Sequence, residues 1–380
     1  MRIGITTSVI QRGQTGIAQY LLALLRELLA QSKHDYTLFV LEEDQHLFQF
    51  ASGRARIVAV PESRRAPVRD ILWHQLTLPK LARQLELDAL HIPSYRRMIW
   101  QRPCPLVATI HDLAPFAVPG KYDWQRTFYA KRVIPRLARR QNQIIATSEN
   151  TASDIRKLLG VSPDRVKVIY NGLDHERFCP GDAAQAKARC RELFHLTEPF
   201  FLYVARLEHP GKNHKRLIEA FNHFKTTTTS NWQLVFAGSD WHGASQIHAA
   251  AADSPFARDI LRLGFVPDEM LPELYRAADI FVYPSLFEGF GMPPLEAMAC
   301  GCPVISSARG SLAEVLGSAA AYVEPESVED MTLRMIVMAS KEAIREKWRA
   351  AGIERARQFN WQKTAAATSQ VHESAAASRN

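Results

Sequence analysis

Two cations and two carboxylates in the second half of this 380-residue chain have the types and spacing for chemistry on a phosphorylated ligand. Arg206 closes the apolar run FFLYVAR, and Lys212 follows six positions later, across a loop holding Pro210 and Gly211. A guanidinium offers a planar fork of donors and an ammonium a mobile point charge, a pairing suited to a pyrophosphate. Two surface cations would read the same way if taken alone. The stretch 285–296, SLFEGFGMPPLE, adds to them. It follows the run IFVYPS and opens a helix. Gly289 and Gly291, with Phe290 and Met292 beside them, allow the backbone to approach a ligand closely. Pro293 and Pro294 sit near the first helical turn, where a missing N–H costs little. The free N–H groups of that turn, with the helix dipole, form an anion site. Glu288 and Glu296 stand eight apart. A carboxylate accepts two hydrogen bonds from vicinal hydroxyls, such as those of a ribose or a sugar ring. Cations for phosphates and carboxylates for hydroxyls describe a nucleotide-sugar donor better than a free nucleotide.

The elements that must position these residues alternate. In the first half, strands are expected near residues 3–6, 36–41, 56–60, 89–92, 105–110, 143–148 and 166–170. Between them come a helix from about Gly16, one over 71–85 that Pro79 bends or breaks, one around 123–140, and one over 148–160. The alternation restarts with strands near 200–206, 232–238, 261–266, 280–285 and 303–307 and helices between them. Such a pattern predicts two mostly parallel sheets with helices on both faces. The expected division is a first domain over 1–172, a linker over 173–198 that contains the loop signal Pro180-Gly181, a second domain over 199–358, and a closing helix and tail over 359–380. Open sheets of this kind bind ligands at the carboxyl ends of their strands, which is where the residues above fall.

Composition sets the wider frame. The chain is 47% hydrophobic and 23% charged, enough to bury two cores, which excludes a disordered chain, a collagen-like chain and a small stapled scaffold. Five Cys at 104, 179, 190, 300 and 302 show no paired spacing, which argues against a disulfide framework and for a reducing compartment. Cys300-x-Cys302 lacks a second pair to complete a tetrahedral metal site. The opening MRIGITTSV reads as a strand rather than a signal peptide, and the greasiest helix, LLALLRELLA, carries Arg26 and Glu27. A cytoplasmic location is the expectation. Charge is uneven: residues 1–140 hold 21 Lys and Arg against 11 Asp and Glu, a net of +10, while the whole chain carries +8. The densest stretch, KRVIPRLARR, contributes Lys131, Arg132, Arg136, Arg139 and Arg140. It reads either as a solvated helix face or as an attraction to an anionic surface, such as lipid headgroups or a phosphate-bearing acceptor. No nucleic-acid reading module is present, so no nucleic-acid partner is expected.

With these residues in place, EGFGMPPLEAMACGCPVI resembles the E-x7-E signature of the retaining glycosyltransferases of family 4. TGIAQY, HIPSY, TIHDLAPF, VIYNGLD, VARLEHPGKN and FNWQKTA resemble further segments of that family in order, along most of the chain. The resemblance implies the α/β GT-B fold: two Rossmann-like, doubly wound domains facing a central cleft, with the last helix crossing back to the first domain. It implies transfer from a nucleotide-sugar donor to a saccharide or lipid-linked saccharide acceptor. Within the family the chain looks most like bacterial mannosyl- and rhamnosyltransferases of O-antigen or capsular polysaccharide synthesis. GDP-mannose is then the first donor expected, and a peripheral position on the inner face of the membrane the expected place. Carried over by position, Arg206 and Lys212 stabilise the leaving diphosphate. Glu288 lies near the transferred sugar, with the backbone of Gly289, Phe290, Gly291 and Met292, and Glu296 holds the ribose. His111 takes the place of the family's histidine near the reacting sugar, and Gly16 lets the first-domain loop approach the phosphates. The loop IQRGQTGIAQ departs from the double glycine of many members. No D-x-D occurs, so the metal-bridged diphosphate binding of the other main glycosyltransferase fold is not expected, and no metal or cofactor is implied. An oxidoreductase would need G-x-G-x-x-G after a strand, and Gly289-Phe290-Gly291 lacks the third glycine. A sugar-nucleotide epimerase or hydrolase on the same fold, or a catalytically silent nucleotide-sugar-binding subunit, stays open at this level.

Overall fold

The computed structural model describes residues 1–13, 15–118 and 124–378. Residue 123, expected at the start of a helix, and residues 379–380 of the tail lie outside the described residues. The short apolar runs become parallel strands, as they must when helices cover both faces of a sheet and leave it no solvent side. The first sheet comprises β1 (Arg2–Thr6), β2 (Asp35–Leu41), β3 (Ala55–Val60), β4 (Ala89–Ile92), β5 (Leu106–Ile110), β6 (Gln143–Ala146) and β7 (Val166–Val168), in the order β3-β2-β1-β4-β5-β6-β7. Within it β1 is an interior strand, where Ile3 pairs with Tyr36 of β2 on one side and Ala89 of β4 on the other. The second sheet comprises β8 (Phe200–Val204), β9 (Gln233–Ala237), β10 (Ile260–Gly264), β11 (Ile280–Tyr283), β12 (Val304–Ser307) and β13 (Ala321–Val323), in the order β10-β9-β8-β11-β12-β13. Both sheets are doubly wound, as expected. The direction of winding reverses at β1/β4 in the first and at β8/β11 in the second. Those reversals open the crevices in which such sheets bind ligands.

The described residues divide into two compact units. One holds Met1–Phe116, the segment up to Gly172 and the residues from Asn360 onward; the other holds mainly Leu173–Phe359. In the first unit, Thr15 caps helix α1 (Gly16–Gln31), its hydroxyl accepting from the Ala18 N–H at 3.1 Å. Leu21, Leu24, Leu25 and Leu28 then bury one helical face against Ile3, Ile5 and Leu38. Helix α2 (Pro67–Leu76) ends at Thr77, and the next helix begins at Leu78, so the expected break falls just before Pro79. In the second unit, helix α3 (His214–Thr228) and helix α4 (Met292–Ala299) follow β8 and β11, over an aromatic core that includes Phe201, Phe221, Phe224, Phe236 and Phe281.

The last helix, α5 (Trp361–Ala377), packs in the first unit. Trp361 and Ala365 join the α1 cluster, and the Thr364 hydroxyl donates to the Tyr170 carbonyl at 2.8 Å. His372 meets His91 at 3.1 Å, and His91 reaches the Thr109 hydroxyl at 2.8 Å. Burial lowers both imidazoles, His372 to about 3, so they pair as neutral rings. Four elements differ from the sequence reading. Residues 173–198 are not a bare linker: Asp182 caps a helix, Ala183–Phe194, that buries Ala186 and Cys190 in the second unit's core. The strand β13 and the helices Val328–Ser340 and Glu342–Ala356 were not anticipated. β13 has three residues, too few to show a period.

Where α5 begins, Gly172 lies so close to the chain that a Cβ on it would stand 2.3 Å from the Trp361 nitrogen. Gly172→Ala is therefore expected to lower stability by about 1–3 kcal/mol, the usual cost of overpacking. A Cβ on exposed Gly16 would meet nothing within 4 Å, so Gly16→Ala should leave the melting temperature unchanged or slightly raised. Equal urea midpoints for wild type and Gly172→Ala would contradict the steric assignment.

Candidate active site

Eight of the ten site residues singled out above lie in the second unit, six on the loops that leave β8 and β11 at the winding reversal and two, Met292 and Glu296, on the helix α4 that follows. These two strands are neighbours, with Phe281 opposite Leu202. Beyond the strands their loops are joined by backbone. The Leu286 N–H donates to the Gly211 carbonyl at 2.9 Å. Asn213, the residue before α3, is buried, and its side-chain amide donates to the carbonyls of Pro284 at 3.1 Å and Pro325 at 2.6 Å. The Ser307 hydroxyl donates to the Ser285 carbonyl at 2.6 Å, and Ser311 donates through both its N–H and its hydroxyl to the Glu288 carbonyl, each at 3.1 Å.

That framework brings Lys212 and Glu288 together although they are 76 positions apart. The Lys212 ammonium donates to Glu288 Oε1 at 2.6 Å and to the Tyr283 hydroxyl at 3.1 Å. Burial opposes the charge on Lys212, but the adjacent Glu288 carboxylate outweighs it and holds the ammonium above its ordinary pKa. Burial, reinforced by Glu288, holds the Tyr283 phenol well above its own. Arg206 is treated differently. It is exposed, makes no ion pair among the described residues, and lies over the Trp241 ring at 4.5 Å from the centroid. Glu296, in the middle of α4, accepts from the Tyr275 hydroxyl at 2.9 Å. Burial pushes its carboxyl up to about 7, with Tyr275 and Arg177 pulling the other way.

Gly291 immediately precedes α4 with φ +101°, and a Cβ there would stand 2.6 Å from Leu312. Met292 is the first residue of α4, and Pro293 and Pro294 follow it. Prolines have no N–H, so the first turn offers fewer donors to an anion than a regular helix start; Met292 and the loop before it must supply them. Phe290 is buried with its ring edge-on to Phe359 at 5.8 Å. Gly289 sits between Glu288 and Phe290 in the same loop.

The other two site residues lie in the first unit. His111 follows β5, with its ring edge-on to Tyr20 at 4.6 Å and its carbonyl accepting from the Thr147 hydroxyl at 3.1 Å. Burial pushes its imidazole down to about 4, against the pull of Asp112, and Nε2 is buried without a hydrogen-bond partner. Gly16 is exposed at the first position of α1. Elsewhere in this unit, a surface depression of ≈ 610 Å³ is lined by Trp100, Lys131, Arg132, Arg136, Arg139 and Arg140. Arg140 lies over the Trp100 ring at 4.6 Å and donates to the Trp100 carbonyl at 2.7 Å. None of these five cations pairs with a carboxylate among the described residues. No described helix is long and apolar enough to cross a membrane, and no cluster of three or more His, Cys, Asp or Glu among the described residues is placed to hold a metal ion.

Asn213, Tyr283, Tyr275 and Trp241 escaped the sequence reading. Tyr283 stands just before Pro284 at the end of β11 and Asn213 where a helix cap is expected, so strand-end and cap signals could have marked both. Nothing local ties Tyr275 to Glu296 or Trp241 to Arg206.

Comparison with known proteins places this architecture. Residues 185–355 match the family model described as glycosyl transferases group 1, and residues 14–177 match that of glycosyltransferase family 4. The chain is 27% identical, over 95% of its length and 97% of the relative's, to O-antigen chain mannosyltransferase B of Escherichia coli. It is 29% identical over 69% of its length to the serotype-specific mannosyltransferase WbdA of Escherichia coli, but spans only 32% of that longer protein. Among solved structures, sucrose-phosphate synthase from Thermosynechococcus elongatus superposes with a TM-score of 0.80 at 20% identity, covering 100% of both chains, a likeness of fold alone. The two family matches lie side by side along most of the chain, one on each unit, and the chain belongs to the family 4, group 1 glycosyltransferases of GT-B fold.

Proposed function

We propose that the enzyme transfers a hexose, with mannose from GDP-mannose as the first donor to test, to a saccharide or lipid-linked saccharide in cell-surface polysaccharide synthesis. In this reading transfer retains the anomeric configuration and uses fixed protein charge in place of a bound metal. The observation that carries it is the Lys212–Glu288 pair at the β8/β11 reversal, with Arg206 on the same loop as Lys212 and Glu296 one helix turn beyond the glycine loop. The name of the Escherichia coli O-antigen mannosyltransferase, matched over nearly its whole length, supports the choice of sugar and product.

The chemistry needs negative charge met at a departing diphosphate. An ammonium has three donors, and two of Lys212's are engaged by Glu288 and Tyr283, leaving one for a phosphate oxygen. Arg206 supplies a second cation, and the N–H groups near Met292 the remaining polarity. Charge fixed in place before the reaction stabilises the leaving group without reorganisation. The bond from the sugar C1 to the phosphate oxygen breaks while the acceptor oxygen bonds C1 on the same face. The departing phosphate oxygen takes the acceptor hydroxyl's proton. Glu288 is assigned to the transferred sugar's hydroxyls and Glu296 to the ribose. His111, held neutral by burial, is assigned to the reacting sugar, and Gly16 to the close approach of its loop to the phosphates.

The basic depression supports a further part of the reading, a peripheral contact with the anionic inner face of the cell membrane, where a lipid-linked acceptor would lie. Each Lys or Arg near such a surface contributes about 1 kcal/mol, and cations without carboxylate partners are the ones available to it.

The direct test is transfer from GDP-mannose to a mannose-terminated acceptor in excess chelator. An α-linked product is expected, and activity that appears only with added divalent metal, or a β-linked product, would overturn the corresponding part. Lys212→Ala should lower kcat by about 10²-fold or more with the fold intact; near-full turnover would remove Lys212 from the phosphate site. Glu296 bears on pH. A carboxyl lifted to about 7 loses its charge as pH falls through that value, so the apparent KM for donor should rise about tenfold from about pH 8 to about pH 6. The Glu296→Gln variant should show a flat profile over that range, and a wild type with the same flat profile would contradict ribose binding by the ionised form. Last, the enzyme should co-sediment with anionic vesicles at low salt and be released as the Debye length shrinks from ~10 Å at 0.1 M to ~3 Å at 1 M. Neutral substitutions at Arg132, Arg136 and Arg139 should weaken the binding. Equal recovery in the supernatant with anionic and neutral vesicles would exclude the electrostatic contact.

A further inference from the structure

We propose that Trp241 is a positioning residue for the donor clamp, holding the face of the Arg206 guanidinium so that its N–H edges remain free for a diphosphate. The inference rests on the phosphate role given to Arg206 above, and it begins from the backbone. The ladder between β8 and β9 does not stop at the strand ends. The Ala205 N–H donates to the Ala237 carbonyl, the Leu207 N–H to Ser239, the Trp241 N–H back to Leu207, and the His209 N–H to His242, all at 3.0 Å. Leu207 and Asp240 form a parallel bridge within this extension. Such closeness needs Gly238, where φ is +150° and a Cβ would stand 2.0 Å from the Ala205 carbonyl oxygen. Arg206 and Trp241 are thus carried on two loops fixed to one another by main-chain bonds.

The side chains exploit that placement. The Arg206 guanidinium carbon lies 4.5 Å from the Trp241 ring centroid, within the range of a cation–π contact. A guanidinium bound by a carboxylate would offer its fork to that partner, whereas an aromatic face engages the plane and leaves the N–H donors unengaged. Asp240, the carboxylate next to Trp241 in the chain, is instead paired with His248 at 2.8 Å. Trp241 itself is 56% exposed, as Trp100 under Arg140 is at 52%, so its ring lies at the surface against the guanidinium rather than in the core. Restricting the rotamers of an otherwise unrestrained Arg before the donor arrives favours the complex, because an ordered cation loses less freedom on binding.

The test is a double-mutant cycle on Arg206 and Trp241, with GDP and GMP as titrated probes and donor turnover as second readout. Both side chains are exposed, so each variant should melt with the wild type. Trp241→Ala is expected to weaken GDP binding about fivefold, the size of one exposed cation–π contact, and to lower kcat. GMP, without the second phosphate, should be affected less. Trp241→Phe should keep most of the affinity, and Trp241→Ala should add no further loss to Arg206→Ala. An equal loss on GMP, or an additive loss in the Arg206→Ala background, would overturn the proposal and make the indole a direct contact of the nucleoside. If Arg206→Ala weakens GDP while Trp241→Ala does not, the positioning role alone fails. If Arg206→Ala binds GDP as the wild type does, the phosphate role of Arg206 fails and the positioning role with it.

Discussion

The site depends on keeping a lysine and a glutamate both charged where neither is well hydrated. Side-chain exposure is 17% for Lys212 and 13% for Glu288. An isolated ion at such a position would shift its pKa and neutralise. At 2.6 Å the Glu288 carboxylate supplies what the ammonium has lost in water, and it holds Lys212 above its ordinary pKa against burial. No local rule sets that distance. It follows from the winding of the sheet, which makes β8 and β11 neighbours, and from the carbonyls of Gly211, Pro284 and Glu288, each fixed by a donor from another loop. Replacing one partner would leave a buried charge alone, which typically costs more than the pair gains. The loop geometry and the charge state are therefore one constraint.

The two units use burial to opposite ends. In the second unit, a carboxylate keeps the charge on Lys212, and Glu296 stands at the edge of ionisation near neutrality. In the first, His91, His111 and His372 are all lowered by burial. His91 and His372 are fully buried inside the unit, and only His111 follows a strand end, while five cations gather apart, around Trp100.

Most of the fold was legible in the sequence. Twelve of the strands announced themselves as short apolar runs ending in polar or glycine-rich loops, because a strand buried on both faces has little choice of residue. What was not legible has two physical causes. Helix Ala183–Phe194 is mostly polar and small, and only Ala186 and Cys190 are buried, so its docking is invisible until its neighbour is placed. The partners Tyr275 and Trp241 are fixed by contacts 21 and 35 positions away from Glu296 and Arg206, and spacing along the chain carries no such information. The candidate residues themselves could be chosen from type and position after strands. Their charge states could not, since these are set by groups that only the fold brings near.

The glycines show how far a motif can be read as chemistry. Gly291 was picked out because it would let the backbone approach a ligand. The fold demands it on its own account: φ is +101°, and a side chain would strike Leu312. A glycine at 291 therefore says that the loop must turn into α4, and would say so with no ligand at all. Gly16 is the reverse case. It starts α1 in ordinary helical geometry, with open space where a Cβ would point, so an alanine would be at least as stable there. Among the described residues no contact requires a glycine at 16, so the fold that demands Gly291 places no such demand at the start of α1.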